Sequence, residues 1–265
     1  MADNKVCIIT GGSSGIGRAT ALEMKRKGYK VYELSRRAEG KGEVEHISAD
    51  VTKEDTLRAA VEKVIEKEGH IDVLINNAGF GVSGAIEFTH LEDAKKQLDV
   101  NFFGMVSMTK AVLPYMRTQG YGRIVSLSSV AAPIPIPFQA FYSASKAAIN
   151  AYSLALANEV RPYGVQVCTV QPGDIHTGFT AAREKNHEGD EEYGGRISRS
   201  VKVMEHDELT GMAPETAAKY IAKVATRRYI KPLNTVGFQY KLFCAIVKLL
   251  PRKWSNYLVG LIYAK

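Results

Sequence analysis

Short apolar runs alternate with longer amphipathic stretches as far as residue 170. Val6–Thr10, Val31–Leu34, Val44–Ile47, Val73–Ile75, Ile124–Leu127 and Val165–Val170 have the length and residue types of strands. Helical patterns fill 16–27, 54–68, 90–117 and 143–160 between them. Strands that are apolar on both faces and separated by helices predict an α/β fold with a parallel sheet covered on both sides. Right-handed crossovers then favour a doubly wound arrangement. Nothing resembling a linker divides residues 1–265, so a single domain is expected. Residues 181–208 are rich in charge and Gly and show no firm period, which fits a surface loop or a substrate lid. Residues 237–265 form a C-terminal helical extension rich in Leu, Ile and Tyr.

Composition narrows this picture mainly through the distribution of charge. The chain carries +7 overall, yet residues 216–265 contain ten Lys/Arg and no acid, which leaves the remainder at −3. The positive charge belongs to one end, so no general nucleic-acid surface is expected. Leu242–Leu250 is interrupted by Lys248 and is too short to span a bilayer. It is read either as packing on its own domain or a partner subunit, or as a basic apolar helix in peripheral contact with a membrane. Cys7, Cys168 and Cys244 lie far apart in apolar runs and read as reduced core residues. With no secretory pattern before the first strand, a cytoplasmic protein is expected, membrane-peripheral if the tail binds lipid. The six histidines show no ligand spacing, and no metal site is expected.

Chemistry concentrates at the ends of the strands. The first strand runs into Thr10-Gly-Gly-Ser-Ser-Gly15-Ile-Gly17, and a helical pattern follows at once. Gly11, Gly15 and Gly17 permit a tight turn and close backbone approach to a pyrophosphate, which the next helix N-terminus attracts. Tyr142 and Lys146 stand four apart on a helical pattern, so both heads can enter one pocket. A neighbouring ammonium stabilises a phenolate, so the pair predicts a Tyr of lowered pKa acting as general acid and base.

Asn76-Asn77-Ala78-Gly79, Asn101, Ser128-Ser129, Tyr142, Lys146 and Pro172-Gly173-Asp-Ile-His-Thr177 follow in order, most at predicted strand ends. In this ordered set, together with the TGxxxGxG turn, the chain resembles the short-chain dehydrogenase/reductase family over roughly residues 5–230. The resemblance implies a Rossmann fold with a mostly parallel seven-stranded sheet and an NADP(H)- or NAD(H)-dependent oxidoreductase. Tyr142 would exchange the proton, Lys146 would lower its pKa and hold the nicotinamide ribose, and Ser129 would hydrogen-bond the reacting oxygen. Asn101 would hold a water that completes a proton relay. Ser128 is set aside because consecutive strand side chains point to opposite faces. The hydride belongs to the cofactor.

By the same resemblance, the turn comprising Gly11, Ser13, Ser14, Gly15, Ile16 and Gly17 would hold the pyrophosphate. Asp50 and Val51 would meet the adenine, and Asn77, Ala78 and Gly79 would border the adenosine side. Pro172, Gly173, Ile175 and Thr177 would flank the nicotinamide. Relatives that prefer NAD end the second strand in Asp, whereas Ser35, Arg36 and Arg37 stand here. Their hydroxyl and guanidinium groups suit a 2′-phosphate, so NADP(H) is expected over NAD(H).

Phe80 and the stiff Ala131–Phe138 segment, with Ile134, Ile136 and Phe138, are expected to wall an apolar substrate site beside Ser129 and Tyr142. The extended tail is similar to that of hydroxysteroid and retinol dehydrogenases, which implies a steroid or bile acid as substrate. Retinal, another lipid aldehyde or a 3-oxoacyl compound is the alternative, followed by a non-catalytic NADP(H)-binding sensor. A homo-oligomer, dimer or tetramer, is also implied by the resemblance.

Overall fold

The computed structural model describes residues 5–264. From the N-terminus the elements are β1 (Val6–Thr10), α1 (Gly15–Arg26), β2 (Lys30–Ser35), β3 (Glu45–Ser48), α2 (Glu54–Glu68) and β4 (Val73–Asn76). A two-residue β5 (Val82–Ser83) precedes α3 (Leu91–Leu98), α4 (Gly104–Gln119), β6 (Gly122–Leu127), α5 (Ala140–Val160) and β7 (Val165–Gln171). The remaining elements are α6 (Phe179–Ala182), β8 (Glu184–Lys185), α7 (Arg196–Leu209), α8 (Pro214–Thr226), β9 (Leu233–Thr235), α9 (Phe238–Leu249) and α10 (Arg252–Tyr263). Seven strands form one sheet in the order β3-β2-β1-β4-β6-β7-β9, and every neighbouring pair in it is parallel. This is the expected doubly wound Rossmann architecture.

The two-residue period of the strands divides the core between the faces of the sheet. Val6 and Ile8 of β1, with Leu74 and Ile124, pack under α2, α4 and α5. Cys7 and Ile9, with Val73, Ile75 and Val125, pack under α1 and α8. The strand order reverses between β1 and β4, which opens a crevice beyond their C-terminal ends. The glycine turn, Asn77 and Ser129 all lie on that side.

Two expectations are corrected here. The helix read as 90–117 is two helices, with a π-helical turn at Asp99–Phe103 between α3 and α4. Such a turn inserts an extra residue where a side chain must be re-aimed, and here it carries Asn101. Residues 181–208 are not one irregular loop. They contain β8, paired in parallel with β5, and the 14-residue α7, whose buried Ile197, Val201 and Met204 follow helical spacing. Charged residues at the other positions hid that period.

The start of α1 depends on a close approach that only glycine permits. A Cβ on Gly17 would stand 2.2 Å from the Gly11 carbonyl oxygen and 2.4 Å from Asn77 Nδ2. Asn77 Nδ2 donates to the carbonyls of Thr10 and Gly11 at 3.0 and 3.1 Å, so the clash would break the clamp between β1 and β4. Gly17→Ala is expected to cost about 1–3 kcal/mol in urea unfolding, as overpacking does elsewhere. Gly260→Ala is the counter-test: nothing lies within 4 Å of the added methyl, and a helical Gly-to-Ala change should add about 0.5–1 kcal/mol. Equal effects would contradict this packing.

Candidate active site

Helix α5 begins at Ala140, which puts Tyr142 in its first turn and Lys146 one turn further on. Buried Ser143 and Ser145 are small enough for the helix to lie close to the sheet and to the π-turn. The Lys146 ammonium is itself buried and donates to the Leu127 carbonyl at 2.8 Å, tying the helix to the end of β6. Two residues beyond that carbonyl, the Ser129 hydroxyl faces the Tyr142 phenol and favours its ionised form. Ser129 Oγ also accepts from the Ala131 amide at 3.1 Å, which fixes its rotamer. Ser128 turns the other way and donates to the Lys146 carbonyl at 2.9 Å. The two serine side chains thus take different partners, as strand alternation implies.

Asn101 is 1 % exposed and its amide is fully engaged. Its Oδ1 accepts from the Phe80 amide at 2.9 Å, and its Nδ2 donates to the Phe80 carbonyl at 3.0 Å and Ser145 Oγ at 3.2 Å. It thus clamps the chain after Gly79 against α5. A Cβ on Gly79 would lie 3.0 Å from Asn101 Oδ1 and 3.6 Å from Lys146 Nζ, so these groups border one space.

Electrostatics overturn one expectation. Burial pushes the Tyr142 phenol up to about 12, eased by the Ser129 hydroxyl, raised further by Glu208 and Asp174 and lowered by Arg183. Burial alone brings Lys146 down to about 8. The predicted lowering of Tyr142 by Lys146 is not found: burial sets the direction, and the ammonium lies 5.6 Å from the ring centroid with the Leu127 carbonyl as its partner. At neutral pH the phenol holds its proton, the form that can donate to a carbonyl oxygen.

Sequence reasoning missed the residues on the far side of the phenol. The Phe179 ring lies 5.8 Å from that of Tyr142, and the Arg183 guanidinium stacks over Phe179 at 5.6 Å. The Arg183 side chain is wholly buried and bonded to Glu208, which also accepts from Thr180 Oγ1 at 2.7 Å. Among the described residues, Arg183 Nε and Nη1 have no partner. Asp174 accepts from the Tyr240 hydroxyl at 2.7 Å, and Asp207 from that of Tyr263 at 3.2 Å. The only advance signal was an Arg ahead of the unread helix α7 and a Glu in its last turn.

The cofactor-side residues converge as expected, with exceptions. Gly11 and Gly15 adopt φ of +66° and +52°, and Thr177 lies against Gly15. The Ser14 side chain makes no capping bond and the first turn of α1 holds no acid, so its amides remain available to an anion. Ser13 sits in the same turn. Arg36 and Arg37 are exposed at the end of β2, and neither forms an ion pair among the described residues. Glu33 shares a face with Ser35, whose hydroxyl donates to it at 3.4 Å. That carboxylate is buried under Gly12 and bonded to His46, away from the strand end. Asp50 accepts from the Thr52 amide and hydroxyl at 2.9 and 2.8 Å, leaving its other oxygen free of such bonds. Ala78 takes Thr10 Oγ1 on its amide at 3.2 Å. Pro172 and Ile175 are buried, Ile16 packs on the α1-side core and Val51 on Gly104. Gly173 lies under the Tyr240 ring, which a Cβ would meet at 2.2 Å, so it also seats α9.

The expected substrate wall is also rearranged. Ile134 is buried against Cys244, Val247 and Val259 of the tail helices. Phe138, at φ +59°, is buried with Ile197 and Met204 of α7. Both side chains are pillars for the tail and α7 and do not face open space. Ile136 is half-buried beside them, and Phe80, with Lys96 Nζ 5.4 Å above its ring, remains beside the Asn101 clamp.

Residues 5–188 match the short chain dehydrogenase family. The chain belongs to the short-chain dehydrogenase/reductase family. It is 41 % identical to 3-ketodihydrosphingosine reductase of Bacteroides thetaiotaomicron over 98 % of both chains. It is 34 % identical to a probable short-chain type dehydrogenase/reductase, VdlC, of Helicobacter pylori over 97 % of both. A short-chain dehydrogenase from Streptomyces avermitilis superimposes with a TM-score of 0.85 at 28 % identity, covering 98 % of this chain and 99 % of that one. Solved members of the family include ElxO with NADP bound (TM-score 0.75, 26 % identity, 90 % and 99 % of the two chains). Another is the 3-ketoacyl-(acyl-carrier-protein) reductase of Brucella melitensis with NADH (TM-score 0.74, 25 % identity, 88 % and 97 %). The chain is therefore an oxidoreductase of a family that binds NAD(P)(H). The open glycine cradle and uncapped α1 fit the pyrophosphate of such a cofactor.

Glu208→Gln removes the carboxylate that raises Tyr142 and leaves the Arg183 charge unopposed, so the phenol should titrate lower. Reduction needs the protonated phenol and is lost as pH rises through its pKa. The basic limb of the pH–rate profile should consequently move to lower pH. An unmoved limb would show that this pair does not act on Tyr142.

Proposed function

We propose that this protein reduces the ketone of a long-chain apolar substrate of the 3-ketodihydrosphingosine type, using NADP(H). The observation that carries this reading is the likeness to a 3-ketodihydrosphingosine reductase across 98 % of both chains, tail included. It displaces the hydroxysteroid or bile acid as first choice, since none of the relatives described above is named for a steroid. The state of the site favours reduction: Tyr142 is held protonated, with the Ser129 hydroxyl facing it.

The cofactor supplies the hydride at the reacting carbon. The chain's own residues position the carbonyl and provide the proton. Ser129 donates to the carbonyl oxygen, which polarises it and sets its direction. Tyr142 gives its proton to the same oxygen as charge develops there. Lys146, buried one helical turn from Tyr142 and held down to about 8, would return a proton to the phenolate left behind. Asn101 sets the floor by pinning Phe80, which leaves the relay water as a role for the space it shares with Lys146 and Gly79. Residues 181–208 cover the site through Arg183 and Glu208.

Arg36 and Arg37, exposed and in no close ion pair among the described residues, would hold the 2′-phosphate together with Ser35. Asp50 and Val51 would meet the adenine. Thr177 would meet the carboxamide, with Pro172 and Ile175 behind it. A homo-oligomer, dimer or tetramer, is supported by the family's habit and by exposed Phe103 and Leu154 at the α4–α5 side. Free, buried Cys7, Cys168 and Cys244 support a reducing, cytoplasmic setting. A substrate with a long alkyl chain also calls for contact with a membrane, through the basic tail.

The test is NADPH oxidation against 3-ketodihydrosphingosine, steroids, bile acids, retinal and 3-oxoacyl thioesters. The long-chain amino ketone should lead in kcat/KM by at least about tenfold, or ~1.4 kcal/mol of transition-state preference. A steroid or thioester in first place would overturn the assignment. Arg36→Ala should weaken NADPH roughly ten- to 100-fold, the loss of one charge-assisted contact, and leave NADH nearly unchanged. Equal losses for both would contradict the cofactor assignment.

A further inference from the structure

Helices α9 and α10 are built inside out. Their inward residues are few: Cys244 and Val247 on α9, Ser255 and Val259 on α10. Their larger apolar side chains point outward instead. On α9, Phe238, Leu242 and Leu249 are 80 %, 51 % and 86 % exposed; on α10, Trp254, Leu258 and Ile262 are 60 %, 44 % and 47 % exposed. Helical spacing aligns each set along one stripe. Ten of the eighteen large hydrophobic residues exposed among the described residues fall between positions 238 and 262, so the exposure is a patch and not a scatter. The inner faces of both helices meet in one cluster around Ile134, which places their outer faces on the same side of the molecule.

Charge identifies the occupant. Residues 216–265 contain ten Lys/Arg and no Asp or Glu. Lys241, Lys248, Arg252 and Lys253 lie on or beside the two helices, and all four are exposed. A second copy docking through the same face would set this basic segment against itself with no acid in it to answer. A spanning segment is excluded for these elements: none of the described helices is long and apolar enough to cross a membrane. Twelve residues of helix extend only about 18 Å against a hydrocarbon core of about 30 Å. Apolar stripes with a basic margin and no acid suit a helix pair lying flat among anionic headgroups.

We infer that the outer face of the α9–α10 hairpin is a docking surface for an anionic lipid bilayer. The surface is joined to the catalytic residues by short links. On its inner side Tyr240 bonds Asp174 and Tyr263 bonds Asp207, the former one of the charges acting on Tyr142. The hairpin also seats Ile134 of the segment between Ser129 and Tyr142. Docking therefore brings the reductase site to the lipid surface, where a long-chain ketone would be taken up. This last consequence rests on the substrate reading above; the docking itself does not.

The experiment uses the full chain with vesicles of phosphatidylcholine alone or mixed with phosphatidylglycerol. Trp254 is the only tryptophan, so its emission reports the patch directly. Flotation with the anionic vesicles, weakened by salt, and a blue shift of Trp254 are expected, with little binding to phosphatidylcholine alone. Leu249→Glu combined with Leu258→Glu should reduce vesicle binding at least about tenfold. That variant should keep turnover of a short, water-soluble ketone, which shows that it folds, while KM for the vesicle-borne long-chain ketone rises. Absence of binding to either vesicle would overturn the proposal, as would equal binding to both. So would a wild-type dimer that shields Trp254 without lipid and dissociates in the double variant, because the occupant would then be a second copy. Vesicle binding without turnover of any long-chain ketone would leave docking intact and refute the substrate reading alone.

Discussion

The proposed catalytic arrangement depends on one hydrogen bond, from the buried Lys146 ammonium to the Leu127 carbonyl at 2.8 Å. A buried lysine is costly unless it has a partner, and here the partner is the last carbonyl of β6. The bond fixes helix α5 in rotation and height against the strand end, and with it Tyr142 one turn before Lys146. Ser128 adds a second tie, from the same strand end to the Lys146 carbonyl. Ser129 is thereby left facing the phenol. The glycine turn and the Asn77 clamp set the other wall of the crevice at the C-terminal ends of β1 and β4.

Burial that secures this geometry also sets its chemistry. The same desolvation that pushes Tyr142 up to about 12 brings Lys146 down to about 8. The resting site is thus poised with the proton on the phenol and with an ammonium that gives up its own proton more readily than in water. Glu208, Arg183 and Asp174 then adjust the phenol from the far side. Because Asp174 also holds Tyr240 of α9, the tail is connected to the reacting centre and is not an appendage.

Much of this was legible in the sequence. The order of the six apolar runs pointed to the parallel sheet, and the family resemblance with period-two alternation separated Ser129 from Ser128. Four things were not legible. The π-turn at Asp99–Phe103 leaves the helical period of residues 90–117 almost unbroken, so only coordinates reveal it. Helix α7 was masked because Ile197, Val201 and Met204 are separated by Arg, Ser and Lys in a charged, Gly-rich region. Ile134 and Phe138 were read as walls of an apolar substrate site, because sequence shows an apolar side chain but not which partner buries it. The partners are α7 and the tail helices, and that choice turns a supposed pocket wall into a support. The sign of the Tyr142 shift was missed for a related reason: spacing on a helix reveals a neighbouring charge, whereas desolvation depends on everything packed around both groups.

The most direct test of the central claim is the single-turnover reduction of 3-ketodihydrosphingosine by NADPH-loaded Tyr142→Phe enzyme, alongside its NADPH affinity. Removing one oxygen leaves the helix, the Lys146–Leu127 bond and the cofactor cradle in place. The account predicts unchanged NADPH binding with reduction slowed by about 10²-fold or more, the scale of a lost general acid. Near-full turnover in the variant would show that the proton comes from elsewhere and would contradict the account.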